Sequence, residues 1–114
     1  MMDCVFCRIV ARQAPGIILY QDHLATAFRD IHPVAPTHIL VVPNRHIASV
    51  NDLQDDDESL MGHLVTVAKQ VAREAGIGSS GYRLIINTGP DSGQLVYHLH
   101  LHVIGGQRMR FPMG

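Results

Sequence analysis

The sequence has no long apolar run, no basic surplus and very little cysteine, and each of these absences removes a class of protein. Nowhere along its 114 residues do apolar side chains continue for the roughly 18 positions a membrane-spanning helix needs. Nine Lys and Arg against ten Asp and Glu leave a net charge of −1, without the basic stripe that holds a nucleic-acid backbone. A nucleic-acid polymer is therefore not the expected partner, although a small nucleotide is still allowed because a local site can bind phosphate without a basic surface. The only cysteines, Cys4 and Cys7, lie too near one end to staple a fold, which argues against a secreted disulfide scaffold. The first residues lack the basic and apolar regions of a signal peptide, so the expected compartment is the cytoplasm. No internal repeat, low-complexity segment or Walker phosphate loop is visible.

What is present is the composition of a globular chain, 46% hydrophobic and 17% charged, long enough to bury a core as one domain over residues 1–114. Residues 4–12 read as a short helix with Val5, Phe6, Ile9 and Val10 inward, stopped before Pro15-Gly16. Strands are expected over Ile17–Gln21, Leu24–Asp30 and His38–Pro43, with a rigid two-proline loop over 31–37. Asp55 is expected to cap the one long helix, with Glu58 completing a capping pair and Asp56 and Asp57 at its positive end. Leu60, Met61, Leu64, Val67, Ala68, Val71, Ala72 and Ala75 recur at helical spacing and predict its buried stripe. Further strands are expected over Tyr82–Thr88 and Val96–Ile104, separated by a tight loop at Gly89–Gly93. The resulting class is α+β: a five-stranded, mainly antiparallel sheet with one long helix and a short N-terminal one.

The chemistry concentrates in residues 98–102. His98, His100 and His102 alternate with Leu99, Leu101 and Val103, so an extended chain places the three imidazoles on one side, about 6.6 Å apart in succession. Three readings compete. The histidines could be surface residues of a half-buried strand, or present nitrogens to a metal as a strand-borne metalloenzyme would. Alternatively, one imidazole whose first nitrogen is held by a hydrogen bond attacks an electrophile with its second. Cys4-x-x-Cys7 is likewise open. A redox dithiol normally follows a strand, and none precedes residue 4, which leaves half a zinc site or two free thiols.

His98-Leu99-His100-Leu101-His102-Val103-Ile104 resembles the His-x-His-x-His-x-x signature of the histidine triad (HIT) family of nucleotide hydrolases and nucleotidyl transferases. Phe28 to Pro43 resembles the family's nucleoside segment, and Gly105 to Pro112 the tail of its Hint-like branch. The resemblance implies cleavage at the α-phosphate of purine nucleotide conjugates, of the adenosine 5′-phosphoramidate type, through a nucleotidyl-histidine intermediate. His100 corresponds to the nucleophile, His102 and His38 to residues that hydrogen-bond the phosphate and its surroundings, and His98 to an orienting residue. Asp30 corresponds to the ribose-binding carboxylate, Phe28 and Ile31 to walls beside the base, and Asn87, Gly93 and Gln94 to the phosphate-sugar region, together with His100 and His102. The family also implies a purine nucleotide such as AMP or GMP as ligand, a homodimer, no cofactor in catalysis, and a structural zinc on Cys4, Cys7, His46 and His98. A non-catalytic nucleotide-binding or interaction module is the alternative from a different functional class. One position departs from the pattern: Leu95 stands where Hint-branch proteins commonly carry a serine.

Overall fold

The two sides of the sheet bury different things, and that difference positions the site. In the computed structural model, which describes residues 3–110, helix α1 (Val5–Val10) precedes strands β1 (Ile18–Gln21), β2 (Ala25–Arg29) and β3 (Thr37–Pro43). Helix α2 (Glu58–Glu74), β4 (Tyr82–Ile86) and β5 (Leu101–Gly105) follow. The strands pair antiparallel throughout in the order β1-β2-β3-β5-β4. Because side chains alternate along a strand, Ala25, Ala27, Ile39, Val41, Leu101 and Val103 pack with Leu64, Val67, Ala68, Val71 and Ala72 of α2. Phe28, Leu40 and Val42 face the other way and pack with Phe6 and Ile9 of α1. Strand β3 is central and covered on both faces, which accounts for its unbroken apolar run. No helix among the described residues is long and apolar enough to cross a membrane.

Three expectations shift. The long helix begins later than Asp55: residues Asp55–Asp57 form a 3₁₀ turn, and the backbone N–H of Gln54 donates to Asp57 at 2.9 Å, so Gln54 and Asp57 manage the helix entry instead of Asp55 and Glu58. Ala75 is exposed, since it is the residue on which α2 ends. The expected strand over Val96–Ile104 is regular only from Leu101. Continuing the β3–β5 register from Val41 opposite Leu101 would set Pro43 opposite Leu99, where proline has no N–H to offer. The Leu99 N–H donates instead to the Ile47 carbonyl, and His98 takes the carbonyl of Pro43. His98 and His100 therefore lie on an extended approach to the strand, and only His102 is inside it. The end of the tail that resembles the Hint-like branch, Phe111 and Pro112, lies outside the described residues.

Candidate active site

Alternation survives the loss of regular pairing. Leu99, Leu101 and Val103 enter the core beneath α2, while the triad histidines line the opposite side. There the rings form a row. Phe6 lies 5.9 Å from His98 and 5.2 Å from His100, His100 lies 5.0 Å from His102, and His102 lies 5.1 Å from His38, all between centroids.

Hydrogen-bond partners fix which nitrogen of each ring carries its proton. His100 donates from Nδ1 to the carbonyl of His98 at 2.8 Å, which leaves the lone pair of Nε2 unshared. The backbone N–H of Val34 donates to Nδ1 of His38 at 3.1 Å, so the His38 proton sits on Nε2. That nitrogen faces Nδ1 of His102 at 2.9 Å and a carboxylate oxygen of Asp30 at 3.3 Å. His102, accepting on Nδ1, holds its own proton on Nε2 as a donor. Burial pushes His102 down to about 4, with the His100 and His38 rings adding to the effect, and burial lowers His38 as well. Both are neutral near pH 7. One ring thus offers a lone pair and its neighbour a proton, the two functions that attack at phosphorus and stabilisation of its oxygens require. Both nitrogens of His38 are engaged, Nδ1 by the Val34 N–H and Nε2 by His102 and Asp30. Asp30, His38 and His102 have ligand atoms close enough to suggest a second metal site. The mutual hydrogen bond of the two rings already uses the nitrogens such an ion would need.

Cys4, Cys7, His46 and His98 bring their Sγ and Nδ1 atoms within 4.8 Å of one another. The Cys4–His98, Cys7–His46 and Cys7–His98 separations are 3.3, 3.4 and 3.5 Å. Sulfur and nitrogen on a tetrahedral zinc stand about 3.6 Å apart, from the usual bond lengths, so the four donors fit that ion. His98 also has the outer hydrogen bond expected of a ligand, Nε2 donating to the Pro43 carbonyl at 2.8 Å with Nδ1 turned to the sulfurs. Burial, then the side-chain hydrogen bond the Cys7 thiol gives to Cys4, pushes the Cys7 thiol up; a cation between the sulfurs would reverse that. Bound there, zinc would cross-link α1 to the loop after β3 and to the triad segment.

The remaining expected residues divide. Asp30 sits just past β2, one oxygen accepting the His32 N–H at 2.8 Å and the other facing His38; Ile31 beside it is exposed. Asn87 follows β4 at the register position opposite His100, and Gly93 closes a turn at φ 84°, which glycine adopts without strain. Phe28 is not an open wall for a base. It is 2% exposed and meets Phe6 edge-on at 5.3 Å, so it forms the floor. Gln94 is not a phosphate donor either. Its amide nitrogen donates to the carbonyls of Ala48 and Val96 at 2.9 and 3.1 Å, and its oxygen accepts from Gly89 N–H at 2.9 Å, making it a strut for the loop. Two contributors escape sequence reasoning: the Val34 amide, which sets the His38 tautomer, and Phe6, whose apolar position reads only as core.

The sequence profile of the HIT domain matches residues 11–109. The chain is 50% identical to the purine nucleoside phosphoramidase of Escherichia coli K12 over 112 residues, 98% of this chain and 91% of that one. Among solved structures, a HIT family hydrolase from Legionella pneumophila superposes with a TM-score of 0.94 at 44% identity, covering 98% of this chain and 100% of that one. A Zn-bound histidine triad family protein from Mycobacterium smegmatis gives 0.81 at 34% identity, covering 96% and 78%.

Proposed function

The chain belongs to the HIT domain family, and on that premise we propose that it hydrolyses purine nucleotide conjugates at the α-phosphate, with His100 as nucleophile. The observation that carries this reading is the hydrogen bond from His100 Nδ1 to the His98 carbonyl, which directs the lone pair of Nε2 outward. Attack by Nε2 forms a P–N bond and breaks the bond to the amine, acyl or phosphate group. Water then releases the nucleotide from the histidine. His102 Nε2–H serves the phosphate oxygens, and His38, backed by Asp30 and Val34, holds His102 in the donating tautomer. Asp30, as an acceptor-only carboxylate at the open end of β2, suits ribose hydroxyls, with Ile31 beside the base and Asn87 and Gly93 along the phosphate.

Zinc on Cys4, Cys7, His46 and His98 is structural in this reading and takes no part in a step. The reduced thiols it requires suit the cytoplasm. A second copy of the chain is the expected partner, covering Val65 of α2 and Leu84 of β4, which are 48% and 37% exposed; light scattering at micromolar concentration should give twice the chain mass. Quenching the reaction with an α-phosphate-labelled adenosine phosphoramidate and mapping the label is the decisive experiment. Label on His100 supports the mechanism; turnover without any labelled histidine, lost to chelators and restored by metal, replaces it with a metalloenzyme, and binding without turnover with a non-catalytic module.

A further inference from the structure

A cavity of about 520 Å³ lies on the triad's side of the sheet, lined by Val34, Ile85, Ile104, Arg83, Arg108 and Arg110 among others. Register fixes its relation to the histidines. Ile85 is paired with His102, and Ile104 is paired with both His38 and Arg83, so these side chains share one face. The strand order then places Asp30 and β2 to one side of the His38–His102 pair and this cavity, over β4, to the other. Among the described residues its lining holds three of the chain's nine basic residues and no carboxylate side chain, in a chain of net charge −1. Val34 joins the two places, donating its N–H to His38 while its side chain lines the cavity.

We propose that Arg83, Arg108 and Arg110 form an anion subsite for the leaving group, selecting conjugates whose departing half carries a carboxylate or phosphate. This rests on the α-phosphate reading above and adds a substrate class to it. With the nucleoside at Asp30 and the phosphorus at His100 and His102, the departing half extends over β4, where guanidinium groups pair with oxyanions in bidentate fashion. When a carboxylate or phosphate leaves, it takes the electron pair of the broken P–O bond and needs no proton. For an amine, the P–N bond breaks and the nitrogen keeps the electron pair and takes a proton from solvent water, while a free carboxylate elsewhere on that amine meets the same arginines.

The test compares three conjugates of adenosine 5′-monophosphate: one with a neutral alkylamine, one with an amino acid bearing a free carboxylate, and one with phosphate. In the Arg108→Ala/Arg110→Ala protein, kcat/KM should fall about tenfold for one or both anionic conjugates, mainly through KM, and less than about twofold for the neutral one. Whichever anionic conjugate responds identifies the source. The anionic preference of the unmodified protein should also shrink as salt is raised, because the arginines at 108 and 110 are exposed. Equal loss on all three conjugates, or none, overturns the subsite; equal loss with a changed mass in solution assigns the arginines to contact between chains. If the unmodified protein turns over no conjugate, the parent reading fails, and calorimetric binding of pyrophosphate to the two proteins decides the subsite alone, equal affinities rejecting it. Arg83→Gln serves as a second variant should the double replacement fold poorly.

Discussion

His98 and His100 are two residues apart, both buried and both neighbours of Phe6, yet they do opposite things. His98 gives Nε2–H to the Pro43 carbonyl and turns Nδ1 to two sulfurs; His100 gives Nδ1–H to the His98 carbonyl and leaves the Nε2 lone pair unshared. Residue type and burial do not distinguish them. The backbone carbonyl each ring meets does, because the nitrogen that donates carries the proton and the other keeps an in-plane lone pair, the one a metal or an electrophile can take.

The comparison breaks most sharply at His100. His100→Ala should lower turnover of an adenosine phosphoramidate by about 10³-fold or more while changing nucleoside monophosphate affinity little, since the lost group acts on the reacting phosphorus. Turnover near the original rate in steady-state assays would remove His100 from the chemistry. Next comes the other ring's cluster. Cys7→Ser should shed zinc, from about one ion per chain by elemental analysis, and lower Tm by roughly 10 °C at about 4 to 8 °C per kcal/mol, while affecting kcat less than His100→Ala does. Purification under reducing, chelator-free conditions that yields no zinc would leave the cysteines as free thiols.

Much of this division was legible in the chain, and the part that was not has a common cause. The apolar stripe of α2 and the buried run of β3 follow from local periodicity, and the His-x-His-x-His alternation gives the shared side of the triad. Where β5 begins depends on what Pro43 lacks across the sheet. The roles of Gln94 and Phe28 depend on the Ala48 carbonyl and the Phe6 ring, and that of His38 on the Val34 amide. These are contacts with particular atoms brought by tertiary structure, and no spacing rule carries them.

A smaller effect distinguishes the histidines by pH. His102 is held down at about 4 against an ordinary 6.5, so the unfolded chain binds more protons than the folded one between those values. The contribution is complete above about pH 6.5 and is lost as pH falls toward 4. Tm should therefore decline from pH 7 to 4.5, and His102→Gln should flatten part of that decline; an unchanged slope in the variant would show that other groups set it. The smallest change is expected at Leu95, whose side chain is 90% exposed and so not held in the core. Leu95→Ser should raise the rate for amine leaving groups about threefold to tenfold relative to acyl phosphates, the worth of roughly 1 kcal/mol for one added donor. Equal change for both classes in parallel assays would place residue 95 outside the reaction.

Helix α1 has six residues, too few to persist as an isolated helix in water. Its cysteines meet His98 across 94 and 91 positions and His46 across 39. During synthesis at about 5 to 20 residues per second, Cys4 therefore waits roughly 5 to 20 s for His98 to be made. The Cys–His contacts beside the triad thus close late, and the nascent chain carries a pair of open thiols over that interval.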